Sequence, residues 1–364
     1  MAEGMITAAI FTPVKIGAIE CSNRVFMAPL TRCRSTPGTD APHALNAEYY
    51  RQRAGAGLIV TEATQISPQG KGYMGAPGIY TAAQEAGWKM VTKAVHDAGG
   101  KIVAQLWHVG RISHPDLQPD GQLPVAPSAI NAGLATTTQN GKMAQVMPRA
   151  LETGEIPGIV ADYRHAAQTA KNAGFDGVEI HGANGYLLEQ FMRDSTNQRT
   201  DEYGGSIANR LRLTLAAVDA AIEVFGADRV GIRLSPVTLS NNIPLDSSTN
   251  AVYGALVDEL ARRKIAFIHF IEGNTQVEHT LQGFDFAGAR KRFGGAYIAN
   301  NGYSRQTALT AVESGAADAV AFGRLFLANP DLPRRLALEA PLNEPNQKTY
   351  YKAGAEGYTD YPAL

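Results

Sequence analysis

The chain has 364 residues, of which 45% are hydrophobic and 18% charged, and this composition excludes an intrinsically disordered protein. Its 33 basic and 34 acidic residues give a formal net charge of −1 without a basic block, so we expect no binding to nucleic acid or to an anionic membrane. Two cysteines, Cys21 and Cys33, are too few for a disulfide framework and lack the spacing of a zinc site. The start, MAEGMITAAIFTP, has no signal-peptide pattern, and no apolar run approaches ~18 residues, so we expect a cytoplasmic protein.

Eight short apolar runs predict β-strands, and most of the stretches between them have helical periodicity. Strands that alternate with helices pair in parallel through right-handed crossovers, and eight such units form a (β/α)8 TIM barrel. We therefore predict one α/β barrel domain over residues 1–364, with an N-terminal β-hairpin in IFTPVKIGAIECSN that closes the base. The eight runs are Arg24–Leu30, Leu58–Ala63, Ile102–Trp107, Phe175–His181, Val230–Ser235, Ile265–Ile271, Ala296–Ala299 and Ala319–Gly323.

Two of the predicted helices have recognisable ends. Apolar residues from Ile207 to Phe225 recur every three or four positions, behind Ser206, a residue type that caps helix N-termini. A similar pattern lies between Ile159 and Ala170, and Gly174 follows where a glycine ends such a helix.

A long excursion interrupts the alternation after the third strand. The excursion covers about residues 109–157, is dense in Pro and Gly, and shows little periodicity. Long loops after barrel strands lie at the rim where active sites are built. A solvated linker between two domains is the alternative, but eight strands are reached only if the barrel continues beyond the excursion.

Alternation of side chains along each strand predicts which residues point into the barrel. Val178 and Ile180 suit the helix side, which leaves Glu179 and His181 inside. The same argument places Val230, Ile232 and Leu234 outside the barrel and Gly231, Arg233 and Ser235 inside. In the other strands, the residues predicted to share one face are Gln105 with Trp107 and Val103, Thr31 with Pro29 and Met27, and Ala63 with Thr61. The upper inward positions therefore include Thr31, Gln105, His181 and Arg233.

Arg233 is the most informative of these positions, because burying an unpaired arginine costs several kcal/mol. An arginine inside a barrel points to an anionic or carbonyl-rich ligand. The alternative is an ion pair with Glu179 or Glu272. Polar groups at the tops of four strands predict a ring that is recognised by its edge.

The loops after the last two strands predict a phosphate site. Asn301 and Gly302 follow the seventh strand, and Gly323 and Arg324 follow the eighth. Small residues at these helix N-termini let backbone N–H groups approach a phosphate, and an arginine adds a bidentate cation. Glycine turns beside a solvated arginine are the alternative. The literal GxGxxG at 70–75 is predicted to be a loop, because it does not connect a strand to a helix and is followed by Pro77.

The fourth strand ends in a set of reactive groups, His181, Asn184 and Tyr186. His181 and Asn184 can each donate an N–H to one oxygen, and Tyr186, with an ordinary pKa of ~10, can donate a proton. The H-x-x-N-x-Y spacing is weak by itself, since histidines at strand ends are often structural.

Several long motifs in the same order make the chain resemble the old yellow enzyme family of FMN-dependent ene-reductases over nearly its whole length. They are APLTR from Ala28, QLW from Gln105, HGANGYLLEQF from His181, RTDEYGGSIANR from Arg199, GIRLSP from Gly231 and AEGYTDYP from Ala355. The chain departs from the family in VTLSNNIPLD after the fifth strand and in EGNTQVE after the sixth, which affects substrate preference.

The resemblance implies a tightly bound, non-covalent FMN and assigns site residues to it. Arg233 would lie near N1 and the C2 carbonyl, where its charge favours the reduced flavin. The ring would contact Pro29, Leu30, Thr31, Ala63 and Gln105, and the phosphate Asn301, Gly302, Gly323 and Arg324. The substrate oxygen would bind His181 and Asn184, and Tyr351, Tyr73 and Trp107 would line the pocket.

The resemblance also implies the reaction. NADPH or NADH would reduce FMN, hydride would pass to the β-carbon of an activated alkene such as an enone, and Tyr186 would protonate the α-carbon. The partners are small molecules, and both a monomer and a dimer remain open.

Three other functions are compatible with parts of the sequence. A flavin amine dehydrogenase with an iron–sulfur cluster is disfavoured by the lack of a cysteine cluster. A flavin-storing or sensing protein needs no proton donor such as Tyr186. A sugar-phosphate isomerase or aldolase would explain the phosphate loops but not the polar groups at the ring edge.

Overall fold

The computed structural model describes residues 8–273 and 283–364 and contains a closed barrel of parallel strands. The order around the barrel follows the chain, which confirms the predicted (β/α)8 topology. Part of the unusual EGNTQVE segment, from Asn274 onward, lies outside the described residues. The barrel strands are β3 (Val25–Met27), β4 (Ile59–Gln65), β5 (Ile102–Trp107), β10 (Gly177–Gly182), β11 (Val230–Leu234), β12 (Phe267–Ile271), β13 (Ala296–Asn300) and β14 (Ala319–Phe322).

Helices surround the barrel, and the two with predicted ends are confirmed. The Ser206 hydroxyl accepts a hydrogen bond from the Asn209 N–H at the start of one helix, and Gly174, with φ of +87°, follows the end of the other. The helices are α1 (Ala44–Gln52), α2 (Ala82–Asp97), α3 (Ile156–Asn172), α4 (Leu187–Met192), α5 (Ile207–Phe225), α6 (Thr249–Arg263), α7 (Phe286–Phe293), α8 (Arg305–Glu313), α9 (Arg324–Ala328) and α10 (Leu332–Leu338).

The predicted N-terminal hairpin closes the base of the barrel. Strands β1 (Val14–Ile16) and β2 (Ile19–Cys21) pair antiparallel. Their buried side chains, Ile16, Ile19 and Cys21, belong to one apolar cluster with side chains from inside the barrel. The inward members are Phe26, Ala28, Val60, Val103, Phe267, Ile298, Ala319 and Ala321. The base interior is therefore filled by packed apolar side chains.

The predicted alternation is confirmed in β10 and β11. Val178 and Ile180 pack in the large cluster between strands and helices, as do Val230, Ile232 and Leu234. Glu179 faces the other way, because it contacts Gln105 and His269 inside the barrel. The inward positions in the upper part of the barrel are polar, as expected.

The predicted alternation does not extend past the end of the first barrel strand, and a bulge interrupts it in the second. Strand β3 ends at Met27, which packs in the cluster on the helix side, whereas Phe26 and Ala28 lie inside the base. The shared face predicted for Met27, Pro29 and Thr31 is therefore wrong, because Thr31 follows the strand in an irregular segment. Strand β4 has a bulge between Val60 and Ala63, which shifts its register against β5.

The excursion after β5 is long but not structureless. It holds two small two-stranded sheets, the pair β6 (Val125–Ala126) and β9 (Arg149–Ala150) and the hairpin β7 (Ala135–Thr138) with β8 (Gly141–Ala144). The buried Arg111 joins it to the loop after β11, because its guanidinium donates to the carbonyls of Ile130 and Asn242. No helix in the described ranges is long and apolar enough to cross a bilayer.

Candidate active site

A cavity of about 420 Å³ opens at the carboxyl end of the barrel. Eight of its lining residues were predicted site residues, namely Pro29, Leu30, Thr31, Tyr73, Asn184, Tyr186, Arg324 and Tyr351. The wall also includes Arg32, Leu327 and Tyr350, which the sequence did not single out. The structure thus brings together segments that are more than 300 residues apart in the chain.

The segment that carries Thr31 is held from behind by a buried carboxylate. Glu62 accepts hydrogen bonds from the backbone N–H groups of Arg32 and Cys33, at 3.0 and 3.3 Å. The Arg32 guanidinium donates to the carbonyls of Tyr350 and Gly357, which fixes the C-terminal segment against the same wall. The position of Thr31 therefore depends on tertiary contacts that a strand pattern does not encode.

His181 is a neutral N–H donor. Its Nδ1 accepts a hydrogen bond from the Ala183 backbone N–H at 3.3 Å, which leaves the ring proton on Nε2. Burial, with the charge of Arg233 second, holds the pKa of His181 well below its usual value. The ring therefore stays uncharged at neutral pH and has one N–H to offer.

Asn184 follows in a left-handed conformation with φ of +57°. Its backbone N–H donates to the Ser235 hydroxyl at 2.8 Å, and its carbonyl accepts from the Asn241 side-chain amide at 2.8 Å. These bonds fix the backbone, while the side chain lies on the cavity wall. Asn184 therefore presents its side chain to the cavity.

Tyr186 lies between aromatic rings at the same wall. Its ring packs edge-on against Trp107 and His181, with centroid distances of 4.9 and 5.1 Å. Its hydroxyl lies 3.1 Å from the hydroxyl of Tyr73, which stacks on Trp107. Burial raises the pKa of Tyr186, so the phenol keeps its proton until a partner takes it.

Three predicted site residues beside this wall, Ala63, Trp107 and His181, do not line the described cavity. Ala63 and Trp107 are buried in an apolar cluster with Val109 and Ile112, against which Tyr73 and Tyr186 pack. Trp107 therefore supports the two tyrosines.

Below the cavity, the inward polar side chains form a hydrogen-bonded layer. Gln105 donates to Glu179, and Arg233 donates to the side-chain oxygen of Asn300 at 2.8 Å. Within the described residues Arg233 forms no ion pair with Glu179 or Glu272, so the predicted alternative for Arg233 is not realised. Burial lowers the pKa of Arg233 to about 10, which leaves the guanidinium charged at neutral pH.

This layer fits the edge of a flat, carbonyl-rich ring. The Arg233 Nε is buried without a hydrogen-bond partner in the described structure. The side-chain amide of Gln105 is bonded there through its Nε2, to Glu179, and its oxygen accepts no hydrogen bond from a described residue. A donor and an acceptor are therefore left for a ligand, which is what the pyrimidine edge of a flavin needs.

The predicted phosphate loops also lie at this end of the barrel. Asn301 and Gly302 have φ of +100° and +73° between β13 and α8, and Gly323 precedes α9. The Asn301 side chain donates to the Glu272 carbonyl at 2.7 Å, so this side chain shapes the loop. A Cβ on Gly323 would lie 3.4 Å from Leu30, which places the loop beside the cavity segment.

Besides the three wall residues named above, the sequence reasoning missed two features of the site. His269 faces Glu179 inside the barrel, and its signal was a polar residue at an inward position of an apolar strand. Asn241, whose amide contacts the Asn184 carbonyl, lies in a loop that departs from the family pattern, so no signal indicated it.

Comparisons with known proteins agree with this geometry. The model of the NADH:flavin oxidoreductase / NADH oxidase family matches residues 9–343. The chain is 48% identical to 12-oxophytodienoate reductase 1 of Oryza sativa subsp. japonica, over 98% of this chain and 93% of the relative. It is 42% identical to 12-oxophytodienoate reductase 2 of Arabidopsis thaliana, over 100% and 98%.

Solved structures give the same result. A structure of morphinone reductase in complex with tetrahydroNAD is 51% identical, with a TM-score of 0.92, and covers 98% of this chain and 97% of that one. The old yellow enzyme homologue from Zymomonas mobilis is 44% identical, with a TM-score of 0.93 and coverage of 98% and 100%.

Proposed function

The chain belongs to the old yellow enzyme family and is an FMN-dependent oxidoreductase that uses a nicotinamide nucleotide as reductant, and from this premise we propose which residues carry out its reaction. The reaction is the reduction of the carbon–carbon double bond of activated alkenes, such as enones, enals, maleimides and nitroalkenes. The observation that carries the assignment is that Asn184 and Tyr186 line one cavity and that the His181 ring packs against the Tyr186 ring at a centroid distance of 5.1 Å.

The upper barrel layer would hold FMN. Thr31, Gln105 and Arg233 would bind the ring edge, with Pro29, Leu30 and Ala63 beside the ring. Asn301, Gly302, Gly323 and Arg324 would bind the phosphate. FMN bound there would supply the two-electron chemistry that carries a hydride equivalent from NADPH or NADH to the β-carbon of the alkene. The unpartnered Arg233 Nε supports this assignment.

His181 and Asn184 would hold the activating oxygen of the substrate. Reduction of an enone moves negative charge onto that oxygen, and two N–H donors stabilise the charge by ~3 kcal/mol each if oxyanion-hole values apply. The neutral state of His181 and its protonated Nε2 support a donor role. Tyr73 and Tyr351 would enclose the substrate, and Trp107 would act from behind the wall.

Tyr186 would donate its hydroxyl proton to the α-carbon. Its raised pKa keeps the proton in place, and the hydrogen bond with Tyr73 orients the hydroxyl. Edge-on packing against Trp107 and His181 fixes the phenol ring, so the proton would be delivered to one face of the substrate.

We further propose that residues 1–364 form one FMN-binding unit and that the protein acts in the cytoplasm on small molecules. Coverage of 98% of the chain by a homologous solved structure supports the single unit. The buried free thiol of Cys21 is compatible with a reducing compartment.

The visible spectrum tests this function directly. We expect the purified protein to be yellow, to bleach with anaerobic NADPH or NADH, and to regain its colour on addition of 2-cyclohexenone. The double variant His181→Ala, Asn184→Ala should bind FMN and bleach, yet regain colour slowly and show no long-wavelength charge-transfer band with phenols. A normal charge-transfer band in the double variant would remove the substrate-binding role of the two residues.

A further inference from the structure

A buried carboxylate inside the barrel is used by none of the roles above. Glu179 on β10 is fully buried, and its Oε1 accepts a hydrogen bond from Gln105 Nε2 at 2.7 Å. Its Oε2 faces His269 Nδ1 at 2.8 Å. Glu179 therefore joins β5 to β12 through two side-chain contacts at the level just below the cavity.

The carboxylate determines which way the Gln105 amide turns. A carboxylate only accepts hydrogen bonds, so the NH2 group of Gln105 must face Glu179. The side-chain oxygen of Gln105 then turns away from Glu179, and it has no hydrogen-bond partner among the described residues. The end of Gln105 that is left for a ligand is an acceptor.

His269 holds the carboxylate from the other side. Because its Nδ1 faces a carboxylate, that nitrogen carries the proton. Burial lowers the pKa of His269, so the ring donates one N–H without adding a positive charge. Both oxygens of Glu179 thus have a donor, which restricts rotation of the carboxylate and, through it, of the amide.

We propose that Glu179, supported by His269, is a positioning residue that fixes the Gln105 amide with its oxygen toward the ring N–H of the flavin. The inference rests on the proposed contact between Gln105 and FMN. A neutral amide at position 179 can bond either the NH2 group or the oxygen of the Gln105 side chain, so Gln105 populates both orientations. In one of them its NH2 group faces the ring N–H of the flavin, and the two donors cannot bond.

A double-mutant cycle on FMN affinity tests the proposal. The dissociation constant for FMN is measured by flavin fluorescence on apoprotein of the wild type, Glu179→Gln, Gln105→Met and the double variant. We expect Glu179→Gln to weaken binding about tenfold, and the double variant to match Gln105→Met within twofold, because residues that act as a unit are not additive.

The outcomes separate the inference from the proposed function. A further tenfold loss in the double variant over Gln105→Met overturns the role of Glu179 and leaves the Gln105 contact intact. An unchanged affinity of Gln105→Met, in a protein that still binds FMN, removes the Gln105 contact itself and with it the inference.

Two further variants distinguish positioning of Gln105 from a general loss of stability. Asp246→Asn is the matched control, because it also removes a fully buried carboxylate, one paired with Arg210. We expect Asp246→Asn to lower thermal stability without changing FMN affinity, and an equal loss of affinity would overturn the proposal. If Glu179→Gln does not fold, His269→Gln takes its place, with an expected threefold loss that vanishes in the Gln105→Met background. Persistence of that loss contradicts the proposal.

Discussion

The two ends of the barrel interior are filled by opposite chemistry. At the base, Phe26, Phe267 and Ile298 pack with the N-terminal hairpin in a purely apolar cluster. At the mouth, inward positions on the same strands hold Gln105, His269 and other polar groups joined by hydrogen bonds. His269 lies only two residues after Phe267 on one strand. The base therefore contributes stability, while the mouth keeps donors and acceptors for ligands.

The largest effect is expected at the mouth, from Tyr186→Phe. Loss of a positioned general acid slows the step that needs it by about 10²–10⁴-fold. We expect this slowing in the oxidative half-reaction with 2-cyclohexenone and a change within twofold in flavin reduction by NADPH, both followed by stopped-flow absorbance.

A quinone serves as the control acceptor for Tyr186→Phe. Its reduction protonates oxygen and needs no carbon protonation, so the variant should reduce 1,4-benzoquinone at nearly the wild-type rate. Equal slowing of both half-reactions would contradict the role of Tyr186 as a proton donor.

A substitution at the base should lower the stability of the protein and leave FMN affinity nearly unchanged. The ring of Phe267 fills the space beside Gly231, where a Cβ would lie 2.2 Å from the ring. Phe267→Ala leaves a cavity there, and we expect the free energy of unfolding of the apoprotein to fall by about 3–5 kcal/mol in urea titrations. FMN affinity of the folded variant should stay within threefold. A variant of wild-type stability that no longer binds FMN would break the division between base and mouth.

The fold and part of the site could be predicted from the sequence where short-range patterns determine the structure. Alternation identified Glu179 and His181 as inward, because β10 is a regular strand buried on both faces. The eight strands and the helix N-cap at Ser206 could also be predicted, because their signals lie in short stretches of the sequence.

Alternation could not place Thr31, since β3 ends at Met27 and the next residues are held by Glu62 from a neighbouring strand. It also could not reveal the bulge between Val60 and Ala63, which depends on pairing with β5. The partner of Glu179 was equally beyond reach, because the choice among Arg233, Gln105 and His269 is decided by three-dimensional distance. Local rules fail where contacts between distant segments set the geometry.

Acid should destabilise the protein partly through a histidine beside the mouth. His108, just after β5, is buried, and burial lowers its pKa to about 3, against ~6.5 in an unfolded chain. Its contribution to stability is full above pH 6.5 and is lost as the pH falls toward 3, because the unfolded chain then binds the extra proton.

From pH 7 to pH 5 this loss amounts to about 2 kcal/mol. Urea unfolding of the wild type and His108→Gln at both pH values measures it: the variant should be less stable at pH 7 and should lose about 2 kcal/mol less on acidification. The same pH dependence in both proteins would show that His108 is not the group responsible.

The smallest effect is expected from Tyr73→Phe, which tests whether Tyr73 stabilises Tyr186 after Tyr186 has lost its proton. Burial holds the pKa of Tyr73 well above its usual value, so Tyr73 is the hydroxyl that donates when Tyr186 loses its proton. Removal of this donor should slow the oxidative half-reaction about tenfold, the worth of one hydrogen bond to a developing charge. Flavin reduction should change less than twofold. Tyr350→Phe is the matched control, because it removes from the same wall a hydroxyl that has no hydrogen-bond partner in the described structure. If Tyr350→Phe slows the oxidative half-reaction as much as Tyr73→Phe, the effect comes from the polarity of the cavity and not from the bond to Tyr186.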